Sequence, residues 1–271
     1  MQDGHLEERL IELNVAAGVA TIHLNRPDRR NAMNDAMRAQ FIEALEHVNG
    51  EKSIRALVLT GNGKGFCSGG DIGGMEKRLH EPAGEVAYNG WRRMLKVHDA
   101  AALLFKMPKP TIAAVNGSAA GLGADTALAC DFVVASEAAS FTWSYIHRGL
   151  IPDGGGMYFL PRRVGLPKAK ELIYGGGTID AAEAKRIGIA DRVSPAETLL
   201  ADAQAWAADL ATRSPTAFAL SKSILDQSFE MSADQVFDQG AKAQGICYTS
   251  TEHRDSVTDF LRKSAERAAR K

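Results

Sequence analysis

The apolar and polar positions near the start of the chain follow the two periods that distinguish strands from helices. Residues 6–13 and 19–24 predict the two strands of a hairpin, because alternate positions of the second run fall on opposite faces. In residues 35–48, apolar side chains recur every three or four positions, which predicts an amphipathic helix with one buried stripe. The chain is therefore expected to begin with a hairpin followed by a helix.

Further along, short apolar runs alternate with longer segments of helical period. Strands are predicted at residues 56–60, 111–115, 132–135 and 190–193, and helices at residues 86–104, 119–130, 160–174 and 180–187. Strands that recur after helices indicate right-handed crossovers and mostly parallel pairing, and so an α/β fold. From residue 199 the pattern is helical only, with segments at residues 199–212, 215–229, 233–248 and 252–269. We expect this tail to pack on the core or on a neighbouring subunit.

The composition argues against several classes of protein. Of the 271 residues 45% are hydrophobic, and the net charge of −1 gives no basic excess that would indicate nucleic-acid binding. Cys67, Cys130 and Cys247 lie far apart without zinc or disulfide spacing, which favours a reducing cytoplasm. The first residues lack the apolar core of a signal peptide, and no apolar run is long enough to span a membrane. We expect a cytoplasmic protein with no nucleic-acid or membrane partner.

Two turns of small residues are the strongest sign of chemistry. Residues 68–71 (Ser-Gly-Gly-Asp) and 121–123 (Gly-Leu-Gly) each follow a strand-like run and open into a helical segment. Two such turns can aim two backbone N–H groups at one carbonyl oxygen that becomes an anion, and helix N-termini add positive dipole character. The dinucleotide and P-loop fingerprints are absent, and Ser68 lacks the G-x-S-x-G surroundings of a nucleophile. Plain tight turns are the alternative.

Four aspartates near these turns are candidates for acid or base roles. Asp71 directly follows the first turn and is best interpreted as a helix cap. Asp125 lies one helical turn after Gly121, so it either points back at the site or simply favours the helix N-terminus. Asp131 is interpreted as structural. Asp153 lies in a Pro-Asp-Gly sequence among apolar residues, and is either a turn residue or a desolvated general base. The histidines show no metal spacing.

These residues resemble the crotonase superfamily, also called the enoyl-CoA hydratase/isomerase family. The resemblance rests on residues 24–34 (LNRPDRRNAMN), 65–72 (GFCSGGDI) and 109–117 (KPTIAAVNG), supported by residues 121–131 and 149–156. It implies an α/β fold in which residues 1–198 form a crotonase-like spiral of repeated ββα units that holds an acyl-CoA site. It implies that residues 199–271 form an all-helical trimerisation region, so that the chain is a homotrimer or hexamer.

The resemblance also implies a substrate and the residues that bind it. The expected substrate is an acyl-CoA thioester, and no metal or redox cofactor is implied because coenzyme A is part of the substrate. By position, the N–H groups of Ser68 and Leu122 form an oxyanion hole, and Arg29 and Arg30 meet the coenzyme A phosphates. The residues implied to line this site are Arg29, Arg30, Ala32, Ser68, Gly69, Gly70, Asp71, Ile72 and Leu122.

The chain departs from the two-glutamate pattern of the hydratases that it resembles. The first glutamate corresponds to Asp125 and the second to Tyr145, whose ordinary pKa of about 10 makes it a poor base at neutral pH. Asp153 matches the working aspartate of several isomerases and of a dehalogenase in the family. Bulky residues within residues 76–91 and 143–147 favour a bulky or aromatic acyl group.

Four functions follow from this pattern. The resemblance favours an enoyl-CoA isomerase in which Asp153 is the acid/base, Ser68 and Leu122 hold the thioester oxygen, and Asp125 and Tyr145 shape or assist the site. The first alternative is an enoyl-CoA hydratase that uses Asp125 with Asp153; nucleophilic attack by Asp153, as in the dehalogenase, is a weaker one. The second alternative is a non-catalytic acyl-CoA-binding protein that keeps the fold.

Overall fold

Residues 8–269 are described by a computed structural model. Their strands are β1 Ile11–Ala16, β2 Val19–Leu24, β3 Ala56–Gly61, β4 Gly65–Cys67, β5 Thr111–Val115, β6 Ser118–Ala120, β7 Phe132–Ser136, β8 Ser140–Thr142, β9 Thr178–Asp180 and β10 Arg192–Ser194. Their α-helices are α1 Asp35–Gly50, α2 Ile72–Arg78, α3 Ala83–Phe105, α4 Leu122–Leu128, α5 Gly156–Val164, α6 Leu166–Gly175, α7 Ala181–Ile187, α8 Leu199–Ala211, α9 Pro215–Leu225, α10 Ala233–Thr249 and α11 Thr251–Ala269.

The apolar runs of the sequence form a six-stranded sheet in the order β1-β2-β3-β5-β7-β10. Only the β1–β2 hairpin pairs antiparallel in this sheet, and the other neighbouring strands are parallel. This confirms the expected α/β architecture, because parallel strands require the helical crossovers that lie between them. The central strands β3 and β5 are buried along their whole length.

A second sheet of four short strands, in the order β4-β6-β8-β9, was not predicted from the sequence. The first three strands are parallel to one another and β9 is antiparallel. The predicted helix at residues 119–130 is therefore wrong at its start, because Ser118–Ala120 is strand β6 and the helix α4 begins at Leu122. Three-residue strands are too short to produce a periodic pattern in the sequence.

The two sheets are connected by a repeated unit of two strands and a helix. The units are β3-β4-α2, β5-β6-α4 and β7-β8-α5, with a 3₁₀ turn at Ser144–Arg148 before α5. This confirms the spiral of ββα units that the resemblance implied. Because β4 and β6 are neighbours in the small sheet, the turns that follow them lie side by side.

Two local predictions differ from the structure for identifiable reasons. The first strand begins at Ile11, where the backbone N–H groups of Leu10 and Ile11 bind the Gln40 side chain of α1, and it continues to Ala16 because it pairs with β2 as far as Ala16 and Val19. Residues 6 and 7 of the predicted strand lie outside the described residues. The helix predicted at residues 160–174 is two helices, α5 and α6, separated by Gly165 at a φ of 76°.

The helical tail begins with a segment that belongs to the core. The apolar side of α8, with Leu199, Ala203 and Ala207, packs on the face of the large sheet that carries Val58 and Ile112. The following helices and the turn after α9 leave large apolar side chains exposed, namely Leu225, Phe229, Phe237, Ile246, Tyr248, Val257, Phe260 and Leu261. The oligomerisation role of residues 199–271 stays a prediction. Within residues 8–269, no helix combines the length and apolar character needed to cross a membrane.

Candidate functional site

The two turns of small residues meet at the edge of the small sheet. Gly69 has a φ of 99°, and a side-chain carbon there would lie 2.8 Å from the carbonyl oxygen of Ala120 and 3.6 Å from the backbone nitrogen of Leu122. A side-chain carbon at Gly123 would overlap the carbonyl oxygen of Cys67. Only glycine permits this close approach, so the turns predicted to act together are in contact.

The backbone donors of the two turns are in different states. Leu122 is the first residue of α4, where the helix provides no acceptor for its N–H group. The N–H group of Ser68 donates to the carbonyl oxygen of Arg30 at 3.0 Å, and Arg30 has a left-handed φ of 50°. The carbonyl oxygen of a ligand can accept a hydrogen bond directly from the N–H group of Leu122. To accept one from the N–H group of Ser68, it must displace the carbonyl oxygen of Arg30 or share that donor with it.

Asp71 holds the first turn in place, as its interpretation as a cap predicted. Its carboxylate accepts from the N–H group of Gly73 at 2.8 Å and pairs with the Arg26 guanidinium at 2.8 Å. The hydrogen bond from Arg26 is the main reason why the pKa of Asp71 lies below its usual value. The backbone of Met33 also pairs with the turn, donating to the oxygen of Gly69 at 2.8 Å. The chain around Arg26 and Met33 is therefore fixed against the site.

The implied coenzyme A residues line the outside of this first turn. Arg29 and Arg30 are both exposed to solvent, at and after the 3₁₀ turn Pro27–Arg29. Ala32 is half-buried, and the Ile72 side chain at the start of α2 is 60% exposed. Cationic and apolar surface thus lie together beside the first turn, and their role in binding coenzyme A stays a prediction.

Asp125 points into the protein and is completely buried. Its carboxylate accepts from the Tyr145 hydroxyl at 2.8 Å and from the Trp143 indole N–H at 2.9 Å. Burial is the main cause that raises the pKa of Asp125 to about 7, and these two hydrogen bonds with one from the Gly156 N–H oppose it. From the sequence, Trp143 counted only among the bulky residues that favour a bulky acyl group. Its hydrogen bond to Asp125 was not predicted, because nothing in the sequence connects the residue after strand β8 to the helix that carries Asp125.

Tyr145 is a donor and not a base in this arrangement. Its pKa is raised far above its usual value, first by burial and then by the charge of Asp125. A side-chain carbon at Gly121 would lie 3.6 Å from the Tyr145 ring, so the ring also packs beneath the second turn. Tyr145, which stands in place of the second glutamate of the hydratase pattern, therefore binds Asp125 and packs against the second turn.

Asp153 lies on the open side of the same site. It is half-buried in the turn before α5, where its N–H group donates to the carbonyl oxygen of Ile151 at 2.8 Å. Burial raises its pKa, and the charges of His98, Arg93 and Arg38 oppose that rise. The next residue, Gly154, packs on Leu122, because a side-chain carbon there would lie 2.5 Å from the Leu122 Cδ1 atom. The turn of Asp153 is thus adjacent to Leu122, one of the two residues predicted to form the oxyanion hole.

Helix α3 contributes residues that the sequence did not assign to the site. The His98 Nε2 atom lies 3.0 Å from the carbonyl oxygen of Asp153. A small apolar cavity of about 20 Å³ is lined by Leu122 and Gly154 of the site and by Val97 and Leu104 of α3. His98 lies more than fifty residues from Asp153 in sequence, so no local pattern could have placed it here.

Comparisons with known proteins match this architecture over nearly the whole chain. The family model described as enoyl-CoA hydratase/isomerase matches residues 14–267. The 1,2-epoxyphenylacetyl-CoA isomerase of Escherichia coli K12 is 38% identical over 92% of this chain and 94% of its own length. A probable enoyl-CoA hydratase of Rhodobacter capsulatus is 36% identical over 93% of this chain and 95% of its own length.

Solved structures give the same result. The crystal structure of a putative enoyl-CoA hydratase from Streptomyces coelicolor A3(2) has a TM-score of 0.88 and 32% identity, covering 95% of this chain and 93% of that one. That of an enoyl-CoA hydratase from Bacillus anthracis has a TM-score of 0.86 and 30% identity, covering 94% of this chain and 96% of that one. Names of both an isomerase and hydratases occur among these similar proteins.

Proposed function

The chain belongs to the enoyl-CoA hydratase/isomerase family, and within it we propose that this enzyme shifts the double bond of an acyl-CoA thioester, with Asp153 as the acid/base. The observation that carries this proposal is the different environment of the two carboxylates. Asp125 is fully buried and accepts hydrogen bonds from Tyr145 and Trp143. Asp153 is half-buried beside Leu122, with a raised pKa suited to taking and returning a proton.

The proposed reaction uses the two turns and one carboxylate. The thioester oxygen binds the N–H groups of Leu122 and Ser68, the latter exchanging its bond to Arg30 for the substrate. Asp153 removes a proton from one end of the allylic system, the electron pair moves into a dienolate, and the same carboxyl group returns the proton at the other end. Each oxyanion donor is expected to stabilise the dienolate by about 3–4 kcal/mol. The reaction is redox-neutral, and coenzyme A enters only as part of the substrate.

Hydration by Asp125 with Asp153 is the second candidate function. It is supported by the pKa of Asp125, which at about 7 lies where a group can both accept and donate a proton at neutral pH. It is disfavoured because the two oxygens of Asp125 already accept hydrogen bonds from Trp143 and Tyr145. The name of the Escherichia coli relative, an isomerase, also supports the first candidate. A protein that only binds acyl-CoA is the third.

Two further expectations belong to this proposal. We propose that the enzyme is a trimer or hexamer, because the exposed apolar side chains of α9 to α11 and the turn after α9, such as Phe229, Phe237 and Phe260, need a partner surface. We also propose a cytoplasmic location, since Cys67, Cys130 and Cys247 are all unpaired thiols.

The experiment that tests the function is product analysis in deuterated water. The purified protein is incubated with crotonyl-CoA, a 3-enoyl-CoA, a dienoyl-CoA and a ring-containing enoyl thioester, and the products are followed by mass spectrometry. A product with a shifted double bond and no added water supports isomerisation, and it carries solvent deuterium at the α or γ carbon to the extent that the Asp153 carboxyl group exchanges its proton before returning it. A 3-hydroxyacyl product supports hydration, and binding without turnover of any thioester supports the non-catalytic candidate.

The variant Asp153→Asn tests the assigned base. Because the amide cannot accept the proton, turnover is expected to fall by about 10²–10⁴-fold, with binding of a saturated acyl-CoA retained. Asp99→Asn is the matched control, since Asp99 is an exposed aspartate on α3 and should leave turnover unchanged. Isomerisation at the wild-type rate in Asp153→Asn would refute the role of Asp153.

A further inference from the structure

The turn that carries Asp153 has little structure of its own to fix it. Three consecutive glycines, Gly154 to Gly156, follow Asp153 and contribute no side chains that could hold the backbone in place. Within the turn, the N–H group of Asp153 donates to the carbonyl oxygen of Ile151 at 2.8 Å, and α5 begins only at Gly156. The position of the Asp153 carboxyl group therefore depends on contacts with other elements.

The inner side of this turn packs against α4. A side-chain carbon at Gly154 would lie 2.5 Å from the Cδ1 atom of Leu122 and 2.9 Å from the Oδ2 atom of Asp125, and one at Gly156 would overlap the Asp125 carboxylate. The Gly156 N–H group also donates to that carboxylate. These contacts hold the glycines of the turn and leave the carbonyl group of Asp153 to be held from the other side.

On the outer side, the His98 side chain of α3 contacts the turn. Its Nε2 atom lies 3.0 Å from the carbonyl oxygen of Asp153. Because a carbonyl oxygen only accepts hydrogen bonds, the Nε2 atom carries the hydrogen and donates it. Val97 and Ala100, which lie close to His98 on α3, are buried, and α3 packs on α1. The helix that carries this donor is therefore fixed to the core.

Charged groups from several elements surround the same carboxyl group. The charged or titratable groups that face it come from four elements, and they are His98 and Arg93 of α3, Arg38 of α1, Asp125 of α4 and Tyr145 of the 3₁₀ turn before α5. Burial raises the pKa of Asp153, and the charge of His98 is the first of three positive charges that oppose this rise. His98 thus contacts the backbone of Asp153 and also acts on the charge of its side chain.

We propose that His98 is a positioning residue for the acid/base, because its Nε2–H group fixes the carbonyl group of Asp153 to helix α3. This inference rests on the proposed function, which assigns the proton transfer to Asp153. A carboxyl group that removes a proton at one end of the allylic system and returns it at the other must lie within reach of both carbons, and a misplacement of about 1 Å can cost about 10²-fold in rate. His98 itself takes no proton from the substrate in this reaction.

Two variants separate the hydrogen bond from the charge. The amide N–H group of a glutamine can take the place of the Nε2–H group without carrying a charge, whereas leucine provides neither. With the thioester that the wild type isomerises, His98→Leu is expected to lower kcat about tenfold or more and to leave KM within about twofold, and His98→Gln should keep at least about half of kcat. His47→Leu is the matched control, because His47 is an exposed histidine in the last turn of α1 and should leave kcat unchanged.

The pH profile gives a second readout, which a merely structural role of His98 would not change. Because the positive charge of His98 lowers the pKa of Asp153, removal of that charge raises this pKa. The acid limb of kcat/KM against pH reports the base of the free enzyme, so it should move to higher pH in both variants and stay in place in His47→Leu. His98→Ser, whose side chain is too short to reach the carbonyl oxygen, replaces His98→Leu if that variant does not fold.

Each outcome distinguishes the positioning role from the function. The positioning role is overturned by a wild-type kcat in His98→Leu, by an equal loss of kcat in His98→Leu and His98→Gln, or by an unmoved acid limb in both variants. All three results leave the isomerase proposal standing. If the wild type isomerises no thioester, or if Asp153→Asn isomerises at the wild-type rate, the proposed function fails and this inference fails with it.

Discussion

The buried carboxyl group of Asp125 makes the stability of the protein depend on pH, and Asp125→Asn tests this directly. Burial raises its pKa from 3.8 to about 7, so the folded state holds a proton that the unfolded state releases. The stability from protonated Asp125 is fully present below about pH 4 and is lost as pH rises through about 7. An asparagine has nearly the same shape and never ionises, so the Asp125→Asn protein does not show this dependence of stability on pH.

The size of the effect follows from the shift. The rise in the pKa of Asp125 from 3.8 to about 7 corresponds to a change of about 4 kcal/mol in the free energy of unfolding between the two ends of the range. The amide changes the hydrogen bonds with Tyr145 and the Gly156 N–H, which we expect to cost about 1 kcal/mol at every pH. Asp125→Asn should therefore be more stable than the wild type by about 3 kcal/mol above pH 7.

The assay is equilibrium urea unfolding of both proteins at equal concentration, at several values between about pH 5 and pH 8. The free-energy difference in favour of Asp125→Asn should grow by at most about 1.4 kcal/mol per pH unit and level off near pH 7. Asp71→Asn is the control, because the pKa of Asp71 is lowered and its contribution is constant across this range. A difference for Asp125→Asn that does not change with pH would refute the reasoning.

Two further substitutions test the packing of the turns and the attachment of the helical tail. In Gly123→Ala, the added carbon would overlap the Cys67 carbonyl oxygen, so we expect a loss of about 3 kcal/mol in the free energy of unfolding. In Lys222→Met, the mostly buried carboxylate of Asp131 loses an ion pair of 2.9 Å, and urea unfolding should show a loss of about 3 kcal/mol.

Each of these changes has a matched control elsewhere in the chain. A side-chain carbon at Gly50 meets nothing within 4 Å, so Gly50→Ala should change stability by less than about 1 kcal/mol. Lys242 forms an exposed pair with Asp238, so Lys242→Met should cost less than about 1 kcal/mol. Losses as large in the controls as in Gly123→Ala and Lys222→Met would contradict the packing and ion-pair arguments.

Much of the fold was predictable because its long elements carry strong periodic patterns. The strand at Thr111–Val115 and the helix beginning at Asp35 have the predicted starts, and the four helices of the tail lie within a few residues of their predicted bounds. The small sheet was not predictable, since strands such as Gly65–Cys67 are held by pairing with distant segments. Gly165 divides one predicted helix into two for a local reason, because it has a positive φ and α6 starts with a proline in its first turn, and the helical period alone does not show this break.

Part of the candidate site was also predictable from the amino-acid sequence. The positions of Ser68 and Leu122 in glycine turns predicted that two backbone donors would lie together, and the turns are indeed in contact. The sequence did not reveal that the Ser68 N–H group is bonded to Arg30. It left the orientation of Asp125 open, and the structure shows it buried against Trp143.

The sequence by itself determined the local chemistry of this protein: which turns need glycine, which segments are helical, and which residues can carry charge or a proton. Only the tertiary structure decided how deeply these residues are buried and which charges lie near them. The raised pKa of Asp125 depends on burial among α4, α5 and the segment after β8 that carries Trp143 and Tyr145, and the charges around Asp153 come from α1 and α3. Desolvation and charge act through space, so they depend on neighbours that the order of the chain does not specify.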